Sequence, residues 1–248
     1  MRLWDMAKAE AIMPLAGSRC REASVGKMVN VMSGLRESQK ASRRKNILDA
    51  AKRLFLERGY VATTIEAIAE TAAVSAVTVY NHYRTKGGVL LAVVAQSDSL
   101  LIEKIRAILD EPPDDLLTAV MAVSETISDH AFFYLNKPIW RHVIATSIIE
   151  GGSEFGRGYA TLDDALARLL AALLEIFKAN GALAADFDCP VGGHVLYNIH
   201  NARFVQFMSN DKAGIADLYD TVYRDMDFTL RNSAAAAKSP GLRAGLSN

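Results

Sequence analysis

Apolar residues recur along this chain with the period of an α-helix almost throughout. From about Ser38 to Arg58, Ile47, Leu48, Ala51, Leu54 and Phe55 fall at i, i+1, i+4, i+7 and i+8 and lay one apolar stripe along a helix. Gly59 is suited to end that helix in the left-handed conformation. In "TTIEAIAETAAV", Thr63 or Thr64 can cap the next helix, and Thr63-x-x-Glu66 matches a capping box. Ile65, Ile68, Ala69 and Ala72 supply its inner face. A turn through Ala73–Ser75 leads into a short helix over about 75–82, with Val79 and Tyr83, four apart, as its anchors. Three helices of these lengths, joined this way, describe a helix-turn-helix unit.

The pattern after Gly88 predicts further helices over 88–109, 114–134, 137–149, 155–179, 190–209 and 214–231. They are separated by Pro112-Pro113, Asn136-Lys137-Pro138, Gly151-Gly152, Gly181 and Pro190. No strand alternation of useful length appears, so the expected fold is all-α. Residues 1–35 lack sustained periodicity and contain Pro14, Gly17, Gly26 and Gly34, which predicts a disordered N-terminal arm. The expected domains are then the helix-turn-helix over 36–88, a helical body over 89–231 and a frayed tail, "NSAAAAKSPGLRAGLSN", over 232–248. "MSGLRESQK" at Met32 reads as a natural start, an alternative to Met1.

Composition narrows the class. Of 248 residues, 50% are hydrophobic and 23% charged, ordinary for a globular protein. Two distant cysteines, Cys20 and Cys189, make neither a disulfide framework nor a zinc site, and no uncharged apolar run approaches the ~18–20 residues of a membrane span. A cytoplasmic protein is expected. The net charge of zero hides an asymmetry: residues 1–88 carry 15 Lys and Arg against 8 Asp and Glu, and residues 89–248 carry 13 against 20. The first third is built to meet something anionic.

That anion is expected to be double-stranded DNA. A helix that enters the major groove needs apolar anchors inward and short polar or aromatic tips outward. With Val79 and Tyr83 inward, Ser75, Thr78, Tyr80, Asn81 and His82 are left to face out or sideways. Lys86, at the helix exit, is placed to meet a phosphate, and Thr64 stands where a helix N-terminus can meet another. Arg43, Arg44 and Lys45 add positive charge on the first helix.

The segment from Ile47 to Val94 resembles the tetracycline-repressor (TetR) family of bacterial transcription regulators. The residues that carry the resemblance are Ala51, Leu54, Phe55, Gly59 and Tyr60, then Thr63 and Thr64, Ile68 and Ala69, Val74 and Ser75, and finally Tyr80, His82, Tyr83 and Lys86. Two departures stand out. Ala73 occupies a position where family members often carry glycine, and Ala76-Val77 replaces a Lys-Gly or similar pair. Val77 is therefore expected to make an apolar contact, for example to a thymine methyl.

The resemblance implies that the body is a ligand-binding and dimerisation domain, that two copies pair through the helices near 190–209 and 214–231, and that the protein is a repressor released from a palindromic operator by a small apolar or amphipathic ligand. Phe133, Trp140, His142, Tyr159, Tyr197, His200 and Phe204 are the candidate ligand contacts. Within the polar group His194, Tyr197, Asn198, His200 and Asn201, some side chains are candidates for a ligand and others for the dimer seam. His194 and His200 are six apart, on different helix faces, so no metal site and no cofactor are expected. Asp114-Asp115 and Asp163-Asp164 read as helix-start acids, and no catalytic constellation appears, so the chain is not expected to be an enzyme.

Overall fold

The computed structural model describes the backbone of residues 23–237 and the side chains of residues 37–231. Among the described residues all regular structure is helical: α1 (Ala23–Arg58), α2 (Ile65–Thr71), α3 (Ala76–Tyr83), α4 (Lys86–Asp110), α5 (Leu116–Tyr134), α6 (Lys137–Ile149), α7 (Glu154–Ala179), α8 (Cys189–Ser209) and α9 (Ile215–Ala237). The chain divides into two compact units, residues 1–43 and residues 44–248. The described part of the first is the N-terminal stretch of α1.

Helix α1 begins at Ala23, so residues 23–35 are helical where a disordered arm was expected; residues 1–22 lie outside the described residues. No proline interrupts Ala23–Arg58, and Gly26 and Gly34 each weaken a helix by only ~1 kcal/mol without blocking its hydrogen bonds. At the other end α9 runs on to Ala237 through the alanines expected to fray, and residues 238–248 lie outside the described residues.

Within the larger unit the stripe of α1 is buried as its spacing requires, with Ile47, Ala51, Leu54 and Phe55 all in the core. Gly59 stops the helix at φ +81°. The starts of α5 to α8 each have a local cause. Asp115, Asn136, Ser153 and Asp188 accept backbone N–H groups in the first turns of α5, α6, α7 and α8. Asp163 and Asp164 do not start a helix. Ser153 caps α7 well upstream and leaves both acids in mid-helix. Helix α7 packs against α4 and α8, and α9 against α8 and α5, around a core that includes Leu170, Leu173, Leu174, Leu196, Phe204 and Met226.

Candidate functional site

The turn between α2 and α3 is a Schellman-type helix end. Val74 N–H donates to Ala69 O at 2.9 Å, Ala73 N–H to Glu70 O at 3.1 Å, and Ala73 takes φ +54°. Ser75 then caps α3, accepting from Thr78 N–H at 3.2 Å, and its Oγ lies 2.8 Å from Thr78 Oγ1. Val79 and Tyr83 are buried and fix the helix from beneath. The opposite side stays open: Val77 is 65% and Tyr80 45% exposed, Ser75 and Asn81 are exposed, and Thr78 and His82 are half-buried. The inward and outward assignments made for this helix therefore hold in the structure, with the Ser75 and Thr78 hydroxyls spending hydrogen-bonding capacity on each other.

Thr64, not Thr63, caps α2, with Ala67 N–H donating to its Oγ1 at 3.1 Å. Thr63 is 1% exposed, its Oγ1 lying 2.8 Å from Gly59 O and 3.2 Å from Leu54 O, so it ties α2 to the end of α1. Arg44, half-buried, stands near Tyr83 at the foot of α3, while Arg43 and Lys45 are exposed.

Lys86 corrects an expectation. Its Nζ donates to Tyr60 O (2.9 Å), Val61 O (3.2 Å) and Thr63 O (2.9 Å), and stands 4.5 Å over the Tyr60 ring. An ammonium has three N–H donors, and all three are used on the α1–α2 loop. Lys86 is a clamp within the module and has no donor left for a phosphate. The α3–α4 link it follows is tight. Arg84 takes φ +60° in a γ-turn closed by Thr85 N–H to Tyr83 O at 2.6 Å. Gly88 is required there because a Cβ would stand 2.2 Å from Tyr83 O.

In the body, α8 presents Tyr197, His200 and Phe204 inward on one face. Their rings stack in sequence at 6.3 and 6.2 Å, and Trp140 meets Phe204 edge-on at 5.4 Å. The Trp140 Nε1–H donates to Ala131 O at 2.8 Å. Tyr197 donates to Asp163 on α7, beside Tyr159. Burial holds the His200 imidazole down to about 4, hence neutral at pH 7. Two candidate ligand contacts fall elsewhere. Phe133 is 87% exposed on the outer side of α5, whose inward positions go to His130 and Ala131. His142 packs against Tyr60 with the rings tilted and their centroids 5.0 Å apart, so it meets the helix-turn-helix module and not the aromatic interior of the body.

The outer side of α8 carries Val191, Val195, Asn198 and Ala202, a stripe at helical spacing that is open to solvent. With Ile199, Gln206 and the Arg203–Asp225 pair it forms a shallow groove beside α9, where Tyr223 and Phe228 are also exposed. Arg203 Nε and Nη2 reach Asp225 at 2.6 and 3.0 Å and hold α8 to α9. Asn198 faces this groove, whereas Tyr197 and His200 face the interior. Among the described residues no three metal-ligating side chains gather, and no helix is long and apolar enough to cross a membrane.

Residues 47–93 match the family model of the bacterial regulatory proteins, tetR family. Over those residues the chain is similar to the tetR family. Over 55 residues it is 44% identical to the HTH-type transcriptional regulator YvkB of Bacillus subtilis (strain 168), covering 22% of this chain and 29% of that one. It is 33% identical over 93 residues to the HTH-type transcriptional repressor KstR2 of Mycolicibacterium smegmatis (strain ATCC 700084 / mc(2)155), covering 36% and 45%. The chain thus spans less than half the length of these curated relatives. The fold likeness is broader: the structure of Thermus thermophilus FadR, a TetR-family transcriptional repressor in complex with lauroyl-CoA, superposes with a TM-score of 0.63 at 22% identity over 77% of this chain and 94% of that one.

One group at the exit of α3 had no place in the sequence expectations. Arg84 is exposed directly after α3, and the only signal for it was a cation two positions beyond His82.

Proposed function

We propose that the protein is a homodimeric, ligand-responsive transcription repressor that holds a palindromic operator. The exposed tips of α3 inside a module that matches the family model carry this reading. Val77, Tyr80 and Asn81 would meet base edges, with Ser75, Thr78 and His82 beside them. Arg84, Thr64, Arg43 and Arg44 would meet the backbone. A two-fold dimer through the open stripe of α8 and the exposed rings of α9 would present two copies of α3 roughly 34–36 Å apart, one turn of duplex.

The ligand would occupy the body near Tyr159, Tyr197, His200, Phe204 and Trp140. It would favour a state in which the two modules no longer match that spacing, and it can act only by its differential affinity for the two states. A ~100-fold loss of operator affinity corresponds to about 2.7 kcal/mol of coupling. His142 on Tyr60, and Lys86 clamping the same loop, offer a packed route from α6 to the module. The named relatives are regulators, in keeping with a binding protein rather than an enzyme.

The test is retention of duplexes from upstream of the protein's own gene in a gel at low ionic strength. Wild type retains one of them specifically. Tyr80→Ala weakens that specific binding by roughly 10–100-fold while binding to unrelated duplex is kept. Failure of the wild-type protein to retain any duplex would sink the reading.

A further inference from the structure

An exposed stripe runs along α3 and past its end through Val77, Tyr80, Asn81 and Arg84, spaced i, i+3, i+4 and i+7. Tyr80, Asn81 and Arg84 end in groups that donate or accept hydrogen bonds. Val77 ends in two methyls. Among the described residues of α3 it is the exposed side chain without a polar atom, 65% open where Tyr80 is 45% open. The hydroxyls on either side of it in the sequence are turned to each other, Ser75 Oγ lying 2.8 Å from Thr78 Oγ1, and Thr78 N–H donates to Ser75 Oγ at 3.2 Å. Val79 and Tyr83 hold the helix from beneath. Val77 therefore stands forward on a first turn that is already fixed, and the core makes no use of it.

The major groove of a duplex presents ring nitrogens, carbonyl oxygens and amino groups, together with one apolar group, the methyl on C5 of thymine. Valine set over a carbonyl or an amino group would strip its water and return no hydrogen bond. Set over a C5 methyl, both partners bury apolar surface. The side chain gives up little freedom in doing so, because valine in a helix has one strongly preferred χ1 rotamer. Asn81 follows four residues on, about 6 Å along the helix axis, or about two base-pair steps. The two side chains thus fall on different base pairs, and the contact of Val77 is separable from that of Asn81.

We propose that Val77 is a specificity-determining residue that packs on the C5 methyl of a pyrimidine, so that this position of each half-site is selected for the methyl and not for a hydrogen-bonding edge. Thymine supplies that methyl. 5-Methylcytosine carries the same methyl at the same place on the ring, so Val77 prefers it to cytosine. Operator affinity then responds to cytosine methylation wherever cytosine stands at this position. The inference rests on the regulator reading and adds to it the chemical group that α3 selects.

The test uses the full chain and the shortest duplex retained from upstream of its own gene. Each thymine in turn is replaced by uracil, which removes the C5 methyl and keeps every hydrogen-bonding group. At one thymine in each half-site, wild-type affinity is expected to fall roughly threefold to fivefold, the order for one buried methyl. At that position 5-methylcytosine opposite guanine is expected to bind tighter than cytosine by a similar factor. Val77→Ala withdraws the side chain from the groove. Both methyl responses are expected to vanish in it, while melting temperature and binding to unrelated duplex stay at wild type. Three results overturn the inference: no thymine in the wild-type complex responds to loss of its methyl, 5-methylcytosine binds no better than cytosine, or Val77→Ala keeps the full response and so assigns the methyl to another side chain. Duplex retention with a flat methyl response removes this inference alone and leaves the regulator. Failure of the wild-type protein to retain any duplex removes both.

Discussion

Lys86 shows how far one side chain's role depends on its surroundings. In the linear sequence it is a cation at the exit of a recognition helix, an ordinary description of a phosphate contact. In the fold its three donors saturate the carbonyls of Tyr60, Val61 and Thr63. Lys86→Met is therefore expected to lower stability by about 1–3 kcal/mol, the order for stranding such acceptors, and the melting temperature by roughly 2–10 °C. The slope of log affinity for non-specific duplex against log salt should match wild type. A slope shallower by about one unit would return Lys86 to the backbone-contacting set. Tyr60, the residue it clamps, also carries His142 on its ring, so loosening the clamp should also loosen the joint between α6 and the module.

Among the elements, the α2–α3 turn is the one whose sequence and geometry disagree. The Schellman hydrogen bonds demand a left-handed residue, and Ala73 supplies it at φ +54°. An alanine in that conformation is strained by ~1–2 kcal/mol, and glycine would relieve this while giving back about 0.4–1 kcal/mol through a freer unfolded chain. Ala73→Gly is therefore expected to stabilise the protein by roughly 0.5–1 kcal/mol in denaturant titration, with operator affinity unchanged. A loss of stability would mean that the turn differs from the one described. The short α3 gains its own definition from two local devices, the Ser75 cap and the buried pair Val79 and Tyr83. Its exposed face is thereby left free of structural duty, and Val77 can project 65% of its surface without cost to the core.

For the whole molecule, the open stripe of α8 and the exposed Tyr223 and Phe228 on α9 are the surface that a two-fold partner would cover. In a symmetric interface each residue near the axis meets its own image, so a charge placed there faces a like charge. If the proposed dimer pairs there, Val195→Glu, at a site 42% exposed in the single chain, is expected to leave the helices intact by circular dichroism, give a monomer in sedimentation, and abolish operator retention. A Val195→Glu protein that still sediments as a dimer would move the seam away from α8.

Much of this was legible in the chain itself, because helical periodicity, capping residues and glycine stops act over a few residues. The stripe from Ile47 to Phe55, the stop at Gly59, the anchors Val79 and Tyr83 and the helices of the body all follow from neighbours within two turns. The resemblance over Ile47–Val94 added the family on the same local grounds. Interactions between distant segments were not legible. Nothing near Phe133 or His142 said that one would face solvent and the other Tyr60, and nothing in Asp163 announced its bond from Tyr197 of another helix. Local backbone preference is written residue by residue, whereas a side chain's partner depends on which helices the core's close packing brings together, and only the tertiary structure decided that.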